Sequence, residues 1–339
     1  MLKIIQEEAA IRRCQRQFIR SFKPFVDEKI PVHLGHPGAS IEAKVLWSGR
    51  LGIWLYPGKT QEGRHWNAFG IGKPKKNAHI SITCEINFPA DGIDRRIGGA
   101  LAKDRKGRTF VVHRGKIGGG KKGVGKSLFA DHYRGVWEIM EDGDEETTVA
   151  LIGALNSPRL ARQIAQYIHK IDQIKETASY RSSQLEMKFE TVIFRETLIG
   201  ERYCDLEKDK DAECDQGLVV RDLADCLRHR GMKAGNDGFI DLFIVGGKGE
   251  MTTVFQVKTT PGPLSLHAGA AQLLLNSLRC TPPPRLILVV PEKPDAALAE
   301  RFKKLNIDML PYAWNQDQAQ FPGLQALLER DSSSVPGSS

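Results

Sequence analysis

The sequence predicts an α+β protein of two domains, in which a mainly antiparallel β domain with flanking helices precedes an α/β domain with a mixed sheet. Three observations support this class. The chain has 339 residues, a length typical of two domains. Short apolar or aromatic runs separated by glycine, asparagine and proline occupy residues 41–150, as in antiparallel sheets. Helical and strand-like segments alternate over the second half of the chain, as in a mixed α/β sheet.

The first domain is expected to span residues 1–178. Amphipathic periodicity over residues 5–30 predicts a helix. Strands are predicted in the runs KVLWSG, GIWLYP, HISITCEINF, RTFVVHR, GVWEIM and TTVALIGAL. A second helix follows, because Asn156 or Ser157 can cap it, Pro158 fits its first turn and its apolar residues share one face. Those apolar residues are Leu160, Ile164, Ile168, Ile171 and Ile174.

The second domain is expected to span residues 179–326, with a disordered tail over 327–339. It begins with the strand-like run FETVIFRETL and a helix, GLVVRDLADCLRHRG, that ends at Gly231. The strands GFIDLFIVGG and MTTVFQVKTT are separated by a glycine-rich turn and predict a hairpin. HAGAAQLLLNSL and PDAALAERFKKLN then predict helices, PPRLILVVPE a buried strand and IDMLPYAW a final strand.

The positive charge of the chain is concentrated in its first half. The net charge is +8, but residues 1–180 carry 30 basic and 19 acidic side chains, whereas residues 181–339 carry 19 and 22. The window 95–126 holds 11 basic residues and one acid, Asp104. This asymmetry favours a polyanion-binding module joined to a domain with carboxylate chemistry, and a solvated basic face is the alternative.

Cysteine usage and hydropathy indicate a cytoplasmic protein. The six cysteines are scattered and include no C-x-x-C pair, which argues against a zinc ribbon and against a disulfide framework. No apolar run reaches the length of a membrane span, and the first residues do not read as a signal peptide. We therefore expect no membrane partner.

The stretch GGGKKGVGKS, residues 118–127, matches the P-loop pattern G-x-x-x-x-G-K-[ST]. A P-loop directly follows a buried parallel strand, whereas here RGKI intervenes after the nearest strand, and no Walker-B strand follows at a suitable distance. Nucleotide hydrolysis is thus the weaker hypothesis. We expect instead that glycine N–H groups and nearby basic residues bind nucleic-acid phosphates, with an ordinary flexible loop as the alternative. These basic residues are Arg114, Lys116, Lys121, Lys122 and Lys126.

A second candidate for DNA contact is the glycine-bounded segment EGRHWNAFGIGKPKK. His65 and Trp66 could stack on an extruded base while Lys75 and Lys76 hold phosphates. The alternative is that these rings belong to the core of the β domain.

The chemistry of the second domain is expected at Asp241, Gln256 and Lys258. On a strand, Gln256 and Lys258 point to the same face, and the preceding turn brings Asp241 beside them. A carboxylate and an amide oxygen are hard ligands of the kind that Mg²⁺ prefers. A lysine beside the cation can offset charge in the transition state of phosphodiester hydrolysis.

In these residues the chain resembles the PD-(D/E)xK nucleases, and among them the Mrr-like restriction endonucleases. The stretches that carry the resemblance are GNDGFIDLFI and FQVK, within residues 190–315. The resemblance implies a restriction-endonuclease-like fold, with Asp241 and Gln256 as metal ligands and Lys258 as the catalytic lysine. The family usually has an acid on the preceding helix, where the best-fitting position here is apolar. Asp222 is the preferred substitute, with Asp215, Glu213 and Glu196 as other candidates.

Together these observations predict a Mg²⁺-dependent DNA endonuclease of the restriction type, whose first domain binds double-stranded DNA. Recognition of a modified base and partnership with a separate methyltransferase are both open. Cutting both strands with one site per chain implies a homodimer. A non-catalytic DNA-binding protein with a degenerate nuclease-like domain is the alternative, and a P-loop NTPase is the third hypothesis.

Overall fold

The computed structural model describes residues 1–36, 39–118, 124–180, 202–203, 210–237, 239–292 and 295–329. These residues form helices and mixed sheets, which confirms the predicted α+β class. They divide into two compact units. The first holds the described residues up to 214, and the second holds those from 215 to 329. The predicted strand FETVIFRETL lies outside the described residues.

The first unit is built mainly from strands, as predicted. Its helices are α1 (Glu8–Ser21), α2 (Lys126–His132) and α3 (Leu160–Tyr180), and residues Lys23–Phe25 form a 3₁₀ turn. Its strands are β1 (Leu2–Ile4), β2 (Glu28–His36), β3 (Ala39–Ser48), β4 (Ile53–Gln61), β5 (Arg64–Ile71), β6 (His79–Ser81), β7 (Cys84–Glu85), β8 (Phe88–Pro89), β9 (Gly99–Lys103), β10 (Thr109–His113), β11 (Val136–Asp142), β12 (Glu145–Ala154) and β13 (Arg202–Tyr203).

Two sheets organise these strands. In one sheet, β1 pairs with β9 on one edge and with β11 on the other. The strands β1, β9, β10, β12 and β11 therefore form a closed sheet. Strand β13 continues along the same edge of β11. The other sheet has the order β6-β2-β3-β4-β5-β7, with β8 also paired to β5. The five predicted apolar residues of α3 are buried, which confirms its amphipathic assignment.

Two local predictions in the first unit are wrong. The helix expected over residues 5–30 ends at Ser21 and is followed by the 3₁₀ turn Lys23–Phe25, in which Pro24 has no N–H to continue the α-helical hydrogen bonds. Residues 28–36 pair along their length with β3, and these long-range hydrogen bonds outweigh the local periodicity. The glycine-bounded loop expected around Trp66 is strand β5, which is paired with β4, β7 and β8 and largely buried.

The second unit contains α4 (Lys210–His229), whose first residues belong to the first unit, α5 (Pro263–Ser277), α6 (Ala296–Lys304) and α7 (Leu324–Glu329). Its strands are β14 (Lys233–Gly235), β15 (Leu242–Val245), β16 (Met251–Val257), β17 (Arg285–Val290), β18 (Ile307–Pro311), β19 (Ala313–Asn315) and β20 (Gln318–Gln320). The expected tail 327–339 begins inside α7, and residues 330–339 lie outside the described chain.

The sheet of the second unit is mixed, as predicted. Its order is β14-β15-β16-β17-β18, antiparallel up to β16 and parallel from β16 to β18. The predicted hairpin is therefore the pair β15–β16, and α5 and α6 are the crossover helices that parallel pairing requires. This topology places the end of β16 next to the start of β15.

Two further features concern the cysteines and the helices. Cysteines 14, 84, 214, 226 and 280, which belong to the described part of the chain, form no disulfide. Within that same part, no helix is both long enough and apolar enough to cross a membrane.

A buried histidine should make the first unit acid-sensitive. Burial lowers the pKa of His113 from 6.5 to about 4, and its neighbours are the rings of Phe129 and Tyr167. The unfolded chain protonates His113 more readily than the folded chain does. The contribution of neutral His113 to the free energy of unfolding is therefore fully present above pH 6.5 and is lost as the pH drops toward 4, by about 3 kcal/mol in total. We expect His113→Phe to remove this part of the pH dependence of urea unfolding. An unchanged slope in the variant would contradict the assignment.

Candidate active site

The structure places Asp241 immediately before β15, at a sharply defined turn. The Asp237 carboxylate accepts hydrogen bonds from the backbone N–H groups of Phe239 and Ile240, both at 2.7 Å, and so shapes the chain that leads into the strand. Asp241 itself is fully buried, and the strand residues next to it, Leu242 and Val257, belong to the apolar core. A buried carboxylate is costly unless hydrogen bonds compensate it.

Three donors converge on one oxygen of Asp241. Its Oδ2 accepts hydrogen bonds from Gln216 Nε2 at 3.1 Å, from Gln256 Nε2 at 2.6 Å and from the backbone N–H of Val257 at 2.6 Å. Asp241 and Gln256 therefore lie together, as the hairpin predicted. Helix α4 and strand β16 hold the carboxylate from two sides.

The Gln256 side chain leaves an oxygen available. Its amide nitrogen must face the carboxylate of Asp241, because the opposite orientation would bring two oxygens together. The other end of the amide, Oε1, is buried and has no hydrogen-bond partner in the described residues. The same is true of the hydroxyl groups of Thr259 and Thr260, which follow two and three residues after Val257.

Buried polar atoms without partners are rare in folded proteins, and each one calls for a ligand, an ion or water. Three such oxygens lie within five residues of chain at the end of β16. Of these, the Gln256 oxygen belongs to the amide that contacts the Asp241 carboxylate.

Lys258 is held by helix α5. Its Nζ donates a hydrogen bond of 2.7 Å to Gln272 Oε1, and its side chain is 6% exposed. Helix α5 can approach this closely because position 269 is glycine. A Cβ at Gly269 would lie 2.6 Å from Leu288 Cδ1 and 3.0 Å from Lys258 Cε. The lysine is thus oriented by a residue on the following helix.

Asp222, the preferred acid on the preceding helix, contacts the β19–β20 pair. The Asp222 carboxylate accepts a hydrogen bond of 2.8 Å from the backbone N–H of Ala319, so it anchors β20. Helix α4 instead presents Gln216 to Asp241. Glu213 and Asp215 are buried on the same helix, and Glu196 lies outside the described residues.

Sequence reasoning missed Gln216 and Gln272. Gln216 is buried on α4 among other buried polar residues, and Gln272 is exposed on α5, so no local pattern distinguishes either amide. The position of each glutamine along its helix does not by itself predict which side chain it contacts.

The donor set suits a hard cation better than a soft one. Asp241 offers a carboxylate and Gln256 an amide oxygen, the ligand types of Mg²⁺, which also retains several waters. Zinc sites in proteins usually include imidazole or thiolate ligands, and neither Asp241 nor Gln256 supplies one. No group of three or more His, Cys, Asp or Glu side chains suited to a metal occurs among the described residues. The partnerless Gln256 Oε1 is the observation that fits Mg²⁺ at this place.

Arg114, expected at the DNA surface, is part of the core. Its guanidinium forms a two-pronged ion pair with Asp142, at 2.8 Å from Nε and 2.7 Å from Nη2, and also donates to Ile97 O at 2.9 Å. The residue is 7% exposed. Burial of an arginine requires such a partner, and Asp142 on β11 supplies it, so the prediction of phosphate contact is wrong.

His65 and Trp66 are also buried, which overturns their assignment as a base-stacking pocket. Trp66 packs edge-on against Tyr56, with ring centroids 5.2 Å apart, inside the core of the larger sheet. His65 Nδ1 lies 2.8 Å from Thr60 Oγ1, and burial lowers the pKa of His65, so the ring does not act as a cation at neutral pH. The physical reason is that β5 is a central strand with both faces covered.

The surface lysines are placed differently. Lys116, Lys126, Lys75 and Lys76 are exposed, and Lys121 and Lys122 lie outside the described residues. Lys116 and Lys126 flank the glycine-rich stretch, whose base is closed by paired backbone hydrogen bonds between Ile117 and Val124, at 3.1 and 3.0 Å.

The P-loop hypothesis lacks its structural context. The strand before the glycine-rich stretch is β10, which is antiparallel to both of its neighbours, β9 and β12. A P-loop follows a parallel strand and opens a helix. The helix here, α2, has only seven residues.

Compared with protein-family models, with curated proteins and with solved structures, the chain matches none of them.

Proposed function

We propose that this protein is a Mg²⁺-dependent DNA endonuclease of the PD-(D/E)xK type, in the manner of the Mrr-like restriction enzymes. One observation carries the proposal: Gln256 donates a hydrogen bond to the buried Asp241 carboxylate, and the oxygen of the same amide is buried without a hydrogen-bond partner among the described residues.

The roles of the side chains follow from their contacts. Gln216 and the Val257 N–H hold the Asp241 carboxylate in one orientation, so that it and Gln256 Oε1 would hold the cation. Mg²⁺, when bound, supplies a Lewis acid for the phosphate and lowers the pKa of an attacking water. Lys258 carries the positive charge that offsets charge developing on the phosphate oxygens, and Gln272 positions its ammonium group.

DNA binding is assigned to the first unit on charge. The exposed lysines 75, 76, 116 and 126 belong to the half of the chain with the surplus of basic residues. Lysine contacts to phosphate give affinity that falls steeply with salt and carry little sequence information. Double-stranded DNA is the proposed partner. If the enzyme is modification-dependent, the first unit would also recognise a modified base. Cleavage of both strands by one site per chain calls for two copies.

The test is plasmid cleavage by the full chain. Supercoiled plasmids with unmodified and with modified cytosine are incubated with Mg²⁺ or with a chelator. We expect Mg²⁺-dependent linear product on at least one plasmid and none with the chelator. The dependence on modification shows which restriction type applies. No cleavage of either plasmid under any of these conditions would refute the endonuclease.

A specific observation favours the non-catalytic alternative. Asp241 is fully buried, and Gln216 meets it from the helix on which the family usually carries an acid. A degenerate site would keep this hydrogen-bonded arrangement for stability alone. In that case the protein would bind both plasmids in a salt-dependent manner and cut neither.

A further inference from the structure

Helix α5 carries leucines on two opposite faces, with the exposed polar residues His267 and Gln272 at the sides. It contains no Lys, Arg, Asp or Glu between Pro263 and Ser277. One face packs on the sheet through Leu266, Ala270 and Leu273, which join the core formed with β16 and β17. The other face of α5 is solvent-exposed within the described chain.

The exposed face carries a regular stripe. Its residues follow a spacing of four, three, four and three: Leu264, Ala268, Ala271, Leu275 and Leu278. Leu264 is 82% exposed, Leu275 66% and Leu278 81%, whereas leucines are usually buried. This alternating spacing is the pattern of a helix that packs along its length against another helix.

The stripe is also self-complementary. The order Leu264, Ala268, Ala271, Leu275 reads the same in both directions about its midpoint. Two copies of α5 related by a two-fold axis would therefore run antiparallel, with Ala268 opposite Ala271 and Leu264 opposite Leu275. The small residues at the centre allow close approach, and the leucines fill the space at both ends. Two-fold interfaces pair the same patch with itself.

We infer that the exposed face of α5 is the interface with a second copy of this chain. The centre of the face is free of charge, as in the cores of protein interfaces, so no like-charge repulsion opposes self-association. A stable interface buries about 1,000 Å² or more, which exceeds what one helix stripe supplies. The exposed Leu274 extends the apolar surface, and Phe239 lies beside the helix with the Arg279 guanidinium over its ring.

The position of the interface bears on the candidate site. Gln272 and Gly269, which hold Lys258, lie on the same helix as the stripe. Association through α5 would stabilise the helix that orients Lys258. The inference itself rests on the exposed stripe and does not depend on nuclease activity.

The first test is the mass of the full chain in solution, measured by sedimentation equilibrium at about 10 μM. We expect a dimer for the wild type. Leu275→Glu should weaken it at least about 100-fold, because the substitution occurs twice in a two-fold interface. Leu305→Glu is the matched control, since Leu305 is an exposed leucine at the end of α6, and it should leave the dimer intact. Circular dichroism checks that both variants fold.

A wild type that is monomeric at this concentration would overturn the inference, and so would a dimer that Leu275→Glu leaves unchanged. The first result would indicate that another part of the chain or a different partner covers the stripe. Mass is read without DNA or Mg²⁺, so failure of the plasmid assay leaves this result unaffected.

The second test addresses the antiparallel register. Ala268→Glu and Ala271→Lys would each weaken the homodimer, but in a mixed dimer the new glutamate lies opposite the new lysine. We expect the mixture to form heterodimers that are at least about tenfold tighter than either homodimer. Equal affinities for all three species would exclude this register.

Discussion

Asp241→Ala is expected to lower the free energy of unfolding by about 3–5 kcal/mol, the largest stability effect of any single substitution at the candidate site. The reason is the convergence on Oδ2. Gln216 Nε2, Gln256 Nε2 and the Val257 N–H all lose their acceptor in a place where water does not replace it. Urea unfolding followed by far-UV circular dichroism measures the loss.

The matched control is Asp225→Ala on the same α4 helix. Asp225 pairs with Arg228 at 2.8 Å near the surface, with both side chains about half-exposed, so its removal should cost no more than about 0.5 kcal/mol. If the two variants unfold alike, the three hydrogen bonds to Asp241 do not support the second unit. Because Asp241→Ala changes stability, its loss of cleavage would not by itself prove a catalytic role.

Lys258→Met is the sharper test of catalysis. Methionine keeps the unbranched apolar stem that packs beside Gly269 and Leu288 but removes the ammonium group. We expect Mg²⁺-dependent cleavage to fall by about 10²–10³-fold, with the free energy of unfolding changed by no more than about 1 kcal/mol. The measurement is the single-turnover rate of plasmid cleavage at saturating protein, alongside DNA affinity.

Lys248→Met serves as its control, because Lys248 is an exposed lysine on the turn between β15 and β16. It should cut at the wild-type rate. Cleavage by Lys258→Met at a rate close to that of the wild type would exclude the lysine from the chemistry. An equal decrease in both variants would point to a general effect of charge on DNA binding instead.

Local patterns predicted much of the secondary structure. They succeeded in segments where hydrophobic periodicity favoured one kind of element. The apolar face of α3 appears in the sequence as a 3.6-residue period, and the strands β10, β11, β12, β16 and β17 appear as short apolar runs between turn residues. The proximity of Asp241 and Gln256 also followed from the sequence, because a hairpin fixes which strand ends meet.

Predictions failed where distant residues decided the outcome. The basic character of Arg114 indicated a surface residue, yet Asp142 on a later strand supplies the partner that allows burial. The glycines around Trp66 indicated a loop, yet pairing with β4, β7 and β8 makes the segment a central strand. In both cases the deciding contact lies far along the chain, where local propensity carries no information.

The sequence by itself determined the α+β class, the mixed character of the second sheet and the proximity of Asp241 to Gln256, because these depend on periodicity and on short connections. Only the tertiary structure decided which helical residues complete the site. Gln216 reaches Asp241 and Gln272 reaches Lys258, whereas Asp222 turns to Ala319. The rotation of a helix on a sheet depends on the packing of all its side chains, so spacing along the chain does not reveal it.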